Sequence, residues 1–324
     1  MTTKYELVQE QLKASPKKWC VTGAAGFIGS HLVEKLLSLK QTVIGIDNLS
    51  TGFEKNLAPL KGPAFNFLKL DIQDLHSFNL TGVDYVLHQA ALGSVPRSIE
   101  DPINSHNSNV TGFIKLLHAA KEAKVAQVVY ASSSSVYGDA AKLPMVEERL
   151  GELLSPYAAT KKINEVYAQA FTNSYGLNAV GLRYFNVFGA RQDPVGSYAA
   201  VIPRWIQTIL DKKACEIYGD GETSRDFSHV DNVVQANILA SISGLSKGVF
   251  NIACGDKLTL TELYSLIAEQ MLGPNFPKAI YKEFRSGDIR HSFADISSAR
   301  AALGYEPTVQ AREGIKMTVQ SYIG

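Results

Sequence analysis

A tyrosine and a lysine lie four residues apart at Tyr157 and Lys161, directly after Pro156, a residue type that often opens a helix. On a helix these two side chains share a face. A phenol, with a pKa of about 10, is a poor base at neutral pH, but a neighbouring ammonium group stabilises the phenolate and lowers that pKa. The pair therefore predicts a general base that removes a proton from a substrate hydroxyl.

A run of serines, Ser132–Ser135, follows the strand-like Val128–Ala131 upstream of this pair. In an open parallel sheet, ligands bind at the carboxyl ends of strands, so we expect the run to lie near the base. One of its hydroxyls can share the substrate's proton, while others can serve only the turn at the strand end. A Tyr-x-x-x-Lys match is short enough to arise by chance, and its position after a strand end gives it weight.

Three glycines, Gly23, Gly26 and Gly29, follow the strand-like Trp19–Thr22 and open an amphipathic segment. Glycines in this order allow a tight turn and the close approach of a pyrophosphate, whose charge then meets a helix N-terminus. The spacing is Gly-x-x-Gly-x-x-Gly and differs from the Gly-x-Gly-x-x-Gly of many dehydrogenases. Strand, glycine turn and helix in this order predict a dinucleotide site.

Asp47 ends the next strand-like run, 18 residues after Gly29. A carboxylate at this place can accept hydrogen bonds from adenosine ribose hydroxyls and would repel a 2′-phosphate. No arginine follows in residues 48–52 to bind such a phosphate. These residues favour NAD over NADP, although Asp47 and Asn48 can also be explained as the caps of a turn.

Apolar runs of strand length alternate with amphipathic segments along the first half of the chain. This alternation, with strands apolar on both faces, predicts an α/β fold: a doubly wound parallel sheet, Rossmann-like, with a smaller C-terminal substrate lobe. The predicted strands are Trp19–Thr22, Thr42–Ile46, Phe65–Leu70, Tyr85–His88, Val128–Ala131 and Ala179–Leu182, and the predicted helices are Ile28–Leu39, Asn104–Ala123 and Tyr157–Tyr175.

The domain organisation predicted from these patterns has three parts. Residues 1–17 form a helical extension, with Tyr5, Val8 and Leu12 on one face; residues 18–185 form the NAD-binding domain; residues 186–324 form mainly the substrate lobe. A helical pattern followed by a strand-like run near 229–253 is expected to return to the first domain.

Composition excludes several classes of function. The formal net charge is +1, so no broad electrostatic case exists for nucleic acid or for an anionic membrane. The three cysteines, Cys20, Cys215 and Cys254, are far apart and in no ligand spacing, which argues against a disulfide scaffold or a metal site. With no long apolar run and a polar N-terminus, the chain is expected to be cytoplasmic.

Motifs along nearly the whole chain resemble those of the extended short-chain dehydrogenase/reductase family, and specifically the UDP-hexose 4-epimerases. They are Gly23–Gly29, Asp47-Asn48, Asp71-Ile72, His88–Ala91, the serine run before Val136-Tyr137-Gly138, Tyr157-x-x-x-Lys161, Leu182–Asn186, Arg225–Val230 and Arg285–Asp295. Any one motif is moderately specific, and their order makes the resemblance strong. It implies a UDP-sugar substrate and a homodimer, in which Asn104–Ala123 and Tyr157–Tyr175 would pair with the same helices of a second chain. The apolar faces of these helices can also be explained by packing within one chain.

The resemblance also implies site residues. Ser133, Tyr157 and Lys161 match the catalytic serine, the base and its partner. NAD would be bound by Gly23, Gly26, Phe27, Ile28, Gly29, Asp47, Asn48, Asp71, Ile72, Gln89, Ala90 and Ala91, together with Tyr157 and Lys161. The UDP-sugar would be bound by Ser94, Arg97, Ser133, Ser134, Asn186, Ala200, Val201, Tyr218, Arg225, Arg285, Asp288 and Ser292. Arginine suits a diphosphate because its planar fork can bind two phosphate oxygens.

The serine loop separates the reactions of this family. Dehydratases and decarboxylases that it resembles carry carboxylates in the loop, where this chain has Ser134 and Ser135. Without that extra acid and base, we expect a 4-epimerase that oxidises the sugar transiently at C4 and returns the same hydride to the opposite face.

The preferred sugar is predicted from fewer residues. At the position of Ser292, the galactose-type epimerases that this chain resembles have a bulky tyrosine. Ala200-Val201 likewise replaces an Asn-Leu pair of those enzymes. The smaller residues leave room for a 2-acetamido group. These residues favour interconversion of UDP-GlcNAc and UDP-GalNAc. The alternatives are UDP-glucose/UDP-galactose, and UDP-N-acetylhexosaminuronates, the uronic forms of the N-acetylated sugars, whose carboxylate would meet Arg97 or Arg290. A net NAD-dependent dehydrogenase and a catalytically silent nucleotide-sugar-binding protein are the alternatives of other classes.

Overall fold

The computed structural model describes residues 2–140, 142–195, 199–284 and 289–324. The strands are, in chain order, β1 (Lys18–Thr22), β2 (Thr42–Asp47), β3 (Phe65–Lys69), β4 (Tyr85–His88), β5 (Gln127–Ser133), β6 (Ala179–Tyr184), β7 (Val187–Phe188), β8 (Glu216–Tyr218), β9 (Ser224–Arg225), β10 (Ser228–His229), β11 (Lys247–Ile252), β12 (Leu258–Thr259), β13 (Ile280–Lys282) and β14 (His291–Ser292). The helices are α1 (Lys4–Ala14), α2 (Phe27–Ser38), α3 (Val95–Glu100), α4 (Pro102–His106), α5 (Gly112–Glu122), α6 (Pro156–Tyr175), α7 (Val201–Leu210), α8 (Val230–Ser241), α9 (Leu260–Leu272), α10 (Ser297–Leu303) and α11 (Ala311–Ile323).

A seven-stranded sheet in the order β11-β6-β5-β4-β1-β2-β3 forms the centre of the fold, and all its neighbouring strands are parallel. Helices α2 and α8 bury apolar side chains on one face of the sheet, and α5 buries Phe113, Leu116 and Leu117 on the other. The predicted doubly wound, Rossmann-like fold is confirmed. The strand order reverses between β1 and β4, and this is the place where such sheets bind ligands.

Local sequence fixes the start of α6. The Ser155 hydroxyl accepts a hydrogen bond from the Ala158 N–H, and Pro156 occupies the first turn, where its missing N–H leaves no bond unmade. The helix ends at Gly176 in the left-handed conformation, with φ of 70°. Tyr157 and Lys161 therefore lie in the first two turns, next to the end of β5.

The predicted single helix Asn104–Ala123 is wrong in its interior. The chain forms α4, then a π-helical turn over Asn107–Thr111, then α5. The amide of Asn109 is buried there, donates to the Leu92 carbonyl and to the Thr160 hydroxyl, and accepts from the Leu92 N–H. These tertiary bonds explain the wider turn, which apolar periodicity alone does not reveal.

The segment after β6 leaves the sheet and returns to it. Strands β8 and β13 pair in parallel, and with α7, α9 and α11 they enclose a separate apolar core that includes Trp205, Ile206 and Leu263. Between these elements, α8 packs on the sheet and β11 extends it beside β6. The domain boundaries given above stay a prediction.

The N-terminal helix α1 begins with a capping box between Thr3 and Glu6 and buries Val8 and Leu12 on the body of the protein, in contact with α8. None of the helices within the described residues combines the length and apolar character needed to span a bilayer.

Candidate active site

A cavity of about 560 Å³ lies at the carboxyl ends of β1, β2, β4 and β5. It is lined by the glycine turn, the ends of the strands, and the first turns of α6. All of the residues predicted to bind the cofactor line it, as do Ser133, Ser134 and Asn186. The structure thus brings the predicted cofactor set and the predicted catalytic set into one space.

The glycine turn has the geometry that a pyrophosphate requires. Gly23 has φ of 67°, and a Cβ placed there would lie 2.7 Å from the main-chain nitrogen of Ala90. A Cβ at Gly29 would lie 2.0 Å from the carbonyl oxygen of Gly23. Helix α2 starts after Gly26 with no side-chain cap, so its first N–H groups are available to an anion.

Carboxylates lie at the other end of the cavity. Asp47 is buried and accepts hydrogen bonds from the N–H groups of Ala25, at 3.0 Å, and of Leu49, at 2.8 Å. Burial raises the pKa of Asp47, and these bonds oppose that shift. Asp47 therefore caps the turn and also faces the cavity, so the two explanations of this residue are compatible. The neighbouring Asn48 donates to Asp71 at 2.7 Å.

The cavity fits NAD better than NADP. Within the described lining, Lys161 is the single cationic side chain, and it lies at the catalytic end. The end that carries Asp47 and Asp71 is acidic and would repel a 2′-phosphate. Gly23, Gly26 and the start of α2 would hold the pyrophosphate.

The predicted catalytic trio of Ser133, Tyr157 and Lys161 is compact. The Nζ of Lys161 donates to the carbonyl of Ala131 at 2.9 Å and lies 5.9 Å from the centre of the Tyr157 ring. Burial lowers the pKa of Lys161 to about 8. Burial raises the pKa of Tyr157, while a hydrogen bond with Ser133 opposes the shift. The phenol is therefore protonated in the protein alone, and a cationic nicotinamide ring would supply the missing stabilisation of the phenolate.

A buried ion pair, absent from the sequence-based site, supports the trio from below. The Glu165 carboxylate accepts two bonds from Arg183, at 2.8 and 2.9 Å, and one from the Ser132 hydroxyl at 2.7 Å. Glu165 lies one helical turn after Lys161 on the same face of α6, and Ser132 precedes Ser133. The spacing Tyr157, Lys161, Glu165 was a signal that could have found it.

The residues predicted for the UDP-sugar are more scattered. Asn186 lines the cavity with φ of 32°, whereas most of the others lie outside the lining. Ser94 caps α3, accepting from the Arg97 N–H; Ala200 and Val201 start α7. Tyr218 lies at the end of β8 and donates to Glu216 at 3.4 Å. Arg285 and Asp288 lie outside the described residues.

Arg225 and Ser292 face each other in a small sheet. Strands β9 and β14 pair in parallel with Arg225 opposite Ser292. The Arg225 guanidinium donates to the carbonyls of Ser224 and Arg290. Ser292 is buried, and its hydroxyl lies 3.9 Å from the sulfur of Met145. The small side chain at position 292 is therefore backed by a flexible thioether.

Comparison with known proteins gives consistent results. A family model described as the NAD dependent epimerase/dehydratase family matches residues 19–253. The UDP-glucose 4-epimerase of Mycolicibacterium smegmatis is 38% identical over 93% of this chain and 97% of its own.

Two solved structures extend the comparison. The UDP-N-acetylglucosamine 4-epimerase of Methanobrevibacter ruminantium, in complex with UDP-N-acetylmuramic acid, is 40% identical, with a TM-score of 0.90 over 95% of this chain and 98% of its own. The UDP-glucuronic acid 4-epimerase of Bacillus cereus, in complex with UDP-glucuronic acid and NAD, is 31% identical, with a TM-score of 0.85 over 94% of this chain and 98% of its own.

Proposed function

Because this chain belongs to the NAD dependent epimerase/dehydratase family and is a UDP-sugar 4-epimerase, we propose that it interconverts UDP-GlcNAc and UDP-GalNAc. The observation that carries the choice of sugar is the small, buried Ser292 opposite Arg225. The catalytic and binding residues named above remain part of this proposal.

The residues of the cavity suggest how the reaction proceeds. Bound NAD supplies reversible hydride acceptance at C4 of the sugar. Tyr157 takes the proton of the 4-hydroxyl and later returns it to the 4-keto intermediate, with Ser133 hydrogen-bonded to the phenol. The ammonium group of Lys161 places positive charge beside the Tyr157 ring, and its hydrogen bond to the Ala131 carbonyl holds it there. After rotation of the sugar, the same groups act on its opposite face.

The catalytic end of the cavity favours epimerisation over loss of water. The carboxylates in the described lining are Asp47 and Asp71, and both belong to the end assigned to adenosine. Ser134 and Ser135 line the cavity instead, and a serine hydroxyl cannot replace a carboxylate as the acid and base of dehydration.

The environment of Arg290 favours a sugar without a C6 carboxylate over a uronic one. Its guanidinium makes an ion pair with Asp220 and stacks on the Phe284 ring, with 4.8 Å from its central carbon to the ring centre. A carboxylate on the sugar would have to compete with Asp220 for this arginine. A 2-acetamido group makes no such demand and needs only volume near Ser292.

The test is proton NMR of purified protein with UDP-GalNAc and no added NAD. We expect signals of both UDP-GalNAc and UDP-GlcNAc to reach one ratio from either starting sugar, because the cofactor is retained. Reaction of UDP-galactose or of the uronic sugar alone would contradict the choice of substrate. Stoichiometric release of NADH would indicate a net dehydrogenase and contradict epimerisation.

Two variants sharpen the test. Tyr157→Phe should keep UDP-sugar binding and lose turnover; binding without turnover in the unmodified chain would instead support a silent binding protein. Ser292→Tyr should lower kcat/KM for UDP-GalNAc at least tenfold while sparing UDP-galactose, since a phenol ring fills the acetamido space. Ser292→Ala, which keeps the side chain small, is the matched control and should retain the kcat/KM for UDP-GalNAc.

We also propose a homodimer. Apolar side chains are exposed on neighbouring elements, with Ile99 and Ile103 on α3 and α4, and Val166 and Tyr167 on α6. Light scattering after size exclusion should give about twice the mass of one chain. Replacing Ile103 and Val166 together by lysine should shift it to the mass of one chain.

A further inference from the structure

Asp226 is a fully buried carboxylate that the mechanism does not use. Its Oδ1 accepts a hydrogen bond from the Cys254 N–H at 2.9 Å. Its Oδ2 accepts from the N–H groups of Gly255 at 3.1 Å and Ala294 at 3.3 Å. One side chain thus connects β9 to the turn after β11 and to the segment after β14.

The main chain of Asp226 makes two further connections. Its N–H donates to the Ser292 carbonyl at 2.8 Å, and its carbonyl accepts from the Asn186 side chain at 3.0 Å. Asn186 has a positive φ that residues other than glycine rarely adopt, so this bond helps to hold it. Arg225 is the preceding residue. Three residues predicted to bind the UDP-sugar therefore meet at the main chain of Asp226, and the three side-chain bonds hold that main chain in place.

We propose that Asp226 is a positioning residue for the UDP-sugar, which sets Arg225, Asn186 and Ser292 in place relative to one another. This inference rests on the proposed function, since it takes these three residues as the substrate's contacts. Hydrogen bonds to a buried carboxylate are stronger and more directional than those to a neutral group. Such bonds suit a part of the site where segments distant in sequence must meet.

The energetics of Asp226 separate positioning from simple stabilisation. Burial raises the pKa of Asp226 to about 7, and the three N–H bonds oppose that shift. Because its pKa is higher in the folded than in the unfolded protein, its contribution to stability is lost as the pH rises toward 7. At pH 8 the ionised group therefore lowers the stability of the fold relative to its protonated form.

The decisive variant is Asp226→Asn. An amide replaces one acceptor oxygen by an NH₂ group, so either the Cys254 bond or the bonds to Gly255 and Ala294 are lost. We expect the KM for UDP-GalNAc and the Kd for UDP to rise about tenfold or more, which corresponds to about 1.4 kcal/mol, while kcat changes less than threefold. The content of bound NAD should not change.

A matched control is Asn232→Ser. Asn232 is also fully buried and also joins distant segments, because its side chain bonds the main chain of Thr308 and Val309. We expect this variant to lower the melting temperature without raising the KM. If Asp226→Asn does not accumulate in folded form, Asp226→Ser keeps a hydroxyl acceptor and allows the same comparison.

The outcomes are distinct. Equal Kd for UDP in the unmodified protein and in Asp226→Asn would overturn the positioning role and leave the proposed function intact. If kcat, the content of bound NAD and the melting temperature of Asp226→Asn all fall together, Asp226 has a general structural role, and the positioning role is overturned as well. Failure of the unmodified protein to bind UDP would overturn the proposed function and with it this inference.

Discussion

The buried ion pair beneath α6 allows a quantitative test of how this helix, which carries Tyr157 and Lys161, is held in place. Glu165 accepts from Arg183 at 2.8 and 2.9 Å and from Ser132 at 2.7 Å, and both charged side chains are nearly inaccessible to solvent. Burial alone would raise the pKa of Glu165, but the bonds from Arg183 hold this pKa below its ordinary value. The perturbation is Glu165→Gln, which preserves the shape of the side chain and removes its charge.

The size of the effect follows from the charge that remains. Removing one partner of a buried pair leaves the Arg183 guanidinium uncompensated, which costs about 3 to 5 kcal/mol. Unfolding a chain of 324 residues has an entropy of about 0.7 kcal/mol per kelvin, so the melting temperature should fall by about 4 to 7 °C. We also expect kcat to fall about tenfold, since α6 carries both Tyr157 and Lys161 and small displacements at a reacting group are costly.

The assay is calorimetry combined with NMR turnover, and two comparisons make it decisive. Lys162→Gln removes the half-exposed partner of the same carboxylate, at 3.1 Å, and should shift the melting temperature by about 1 °C or less. Combining Glu165→Gln with Arg183→Gln should restore stability above that of Glu165→Gln alone, since no unpaired charge stays buried. A double variant that loses the sum of both single losses would refute the reasoning.

Two further predictions concern the glycine turn and the buried end of β4. Gly29→Ala places a Cβ 2.0 Å from the Gly23 carbonyl oxygen, so the purified protein should lose its bound NAD. The NAD content is measured in the supernatant after denaturation. The control is Gly62→Ala, where a Cβ meets no atom within 4 Å, and this variant should keep its NAD. Burial and the charge of Lys161 lower the pKa of His88 to about 3, so stability is lost as the pH falls below 6.5. His88→Asn should reduce that dependence by up to about 1.4 kcal/mol per pH unit in urea titrations between pH 6 and 4.5, and an unchanged slope would contradict the assignment.

Much of the sheet was predictable because its strands are buried on both faces and therefore appear in the sequence as short apolar runs. Tyr85–His88 matches the predicted bounds of β4, whereas β5 continues two residues beyond the predicted end, through Ser132 and Ser133. Serine has no strong preference for a strand, and these two extend β5 because they pair with Arg183 and Tyr184 of β6. Tertiary pairing decided the boundary that composition left open.

The cofactor half of the site was predictable for a related reason. Gly23–Gly29, Asp47 and the pair Tyr157 and Lys161 each lie within or at the end of one element, so spacing in the sequence becomes geometry directly. Glu165 was missed although its spacing is regular, because the argument for it depends on Arg183, which comes from a neighbouring strand. A carboxylate on a helix is usually solvated, and only its partner shows otherwise.

The sugar half depends on contacts between short elements that have no period to detect. Arg225 and Ser292 meet in two-residue strands far apart in the chain, and the side chain behind Ser292 is Met145, from a third segment. The space beside Ser292 is therefore set by Ser292 and Met145 together, since a thioether side chain adapts its shape to a neighbouring gap. Under the proposed function, the room beside Ser292 for an acetamido group therefore depends also on the position of the Met145 side chain. Under the proposed function, the choice of sugar depends on this packed pair, and spacing in the sequence does not reveal such a pair.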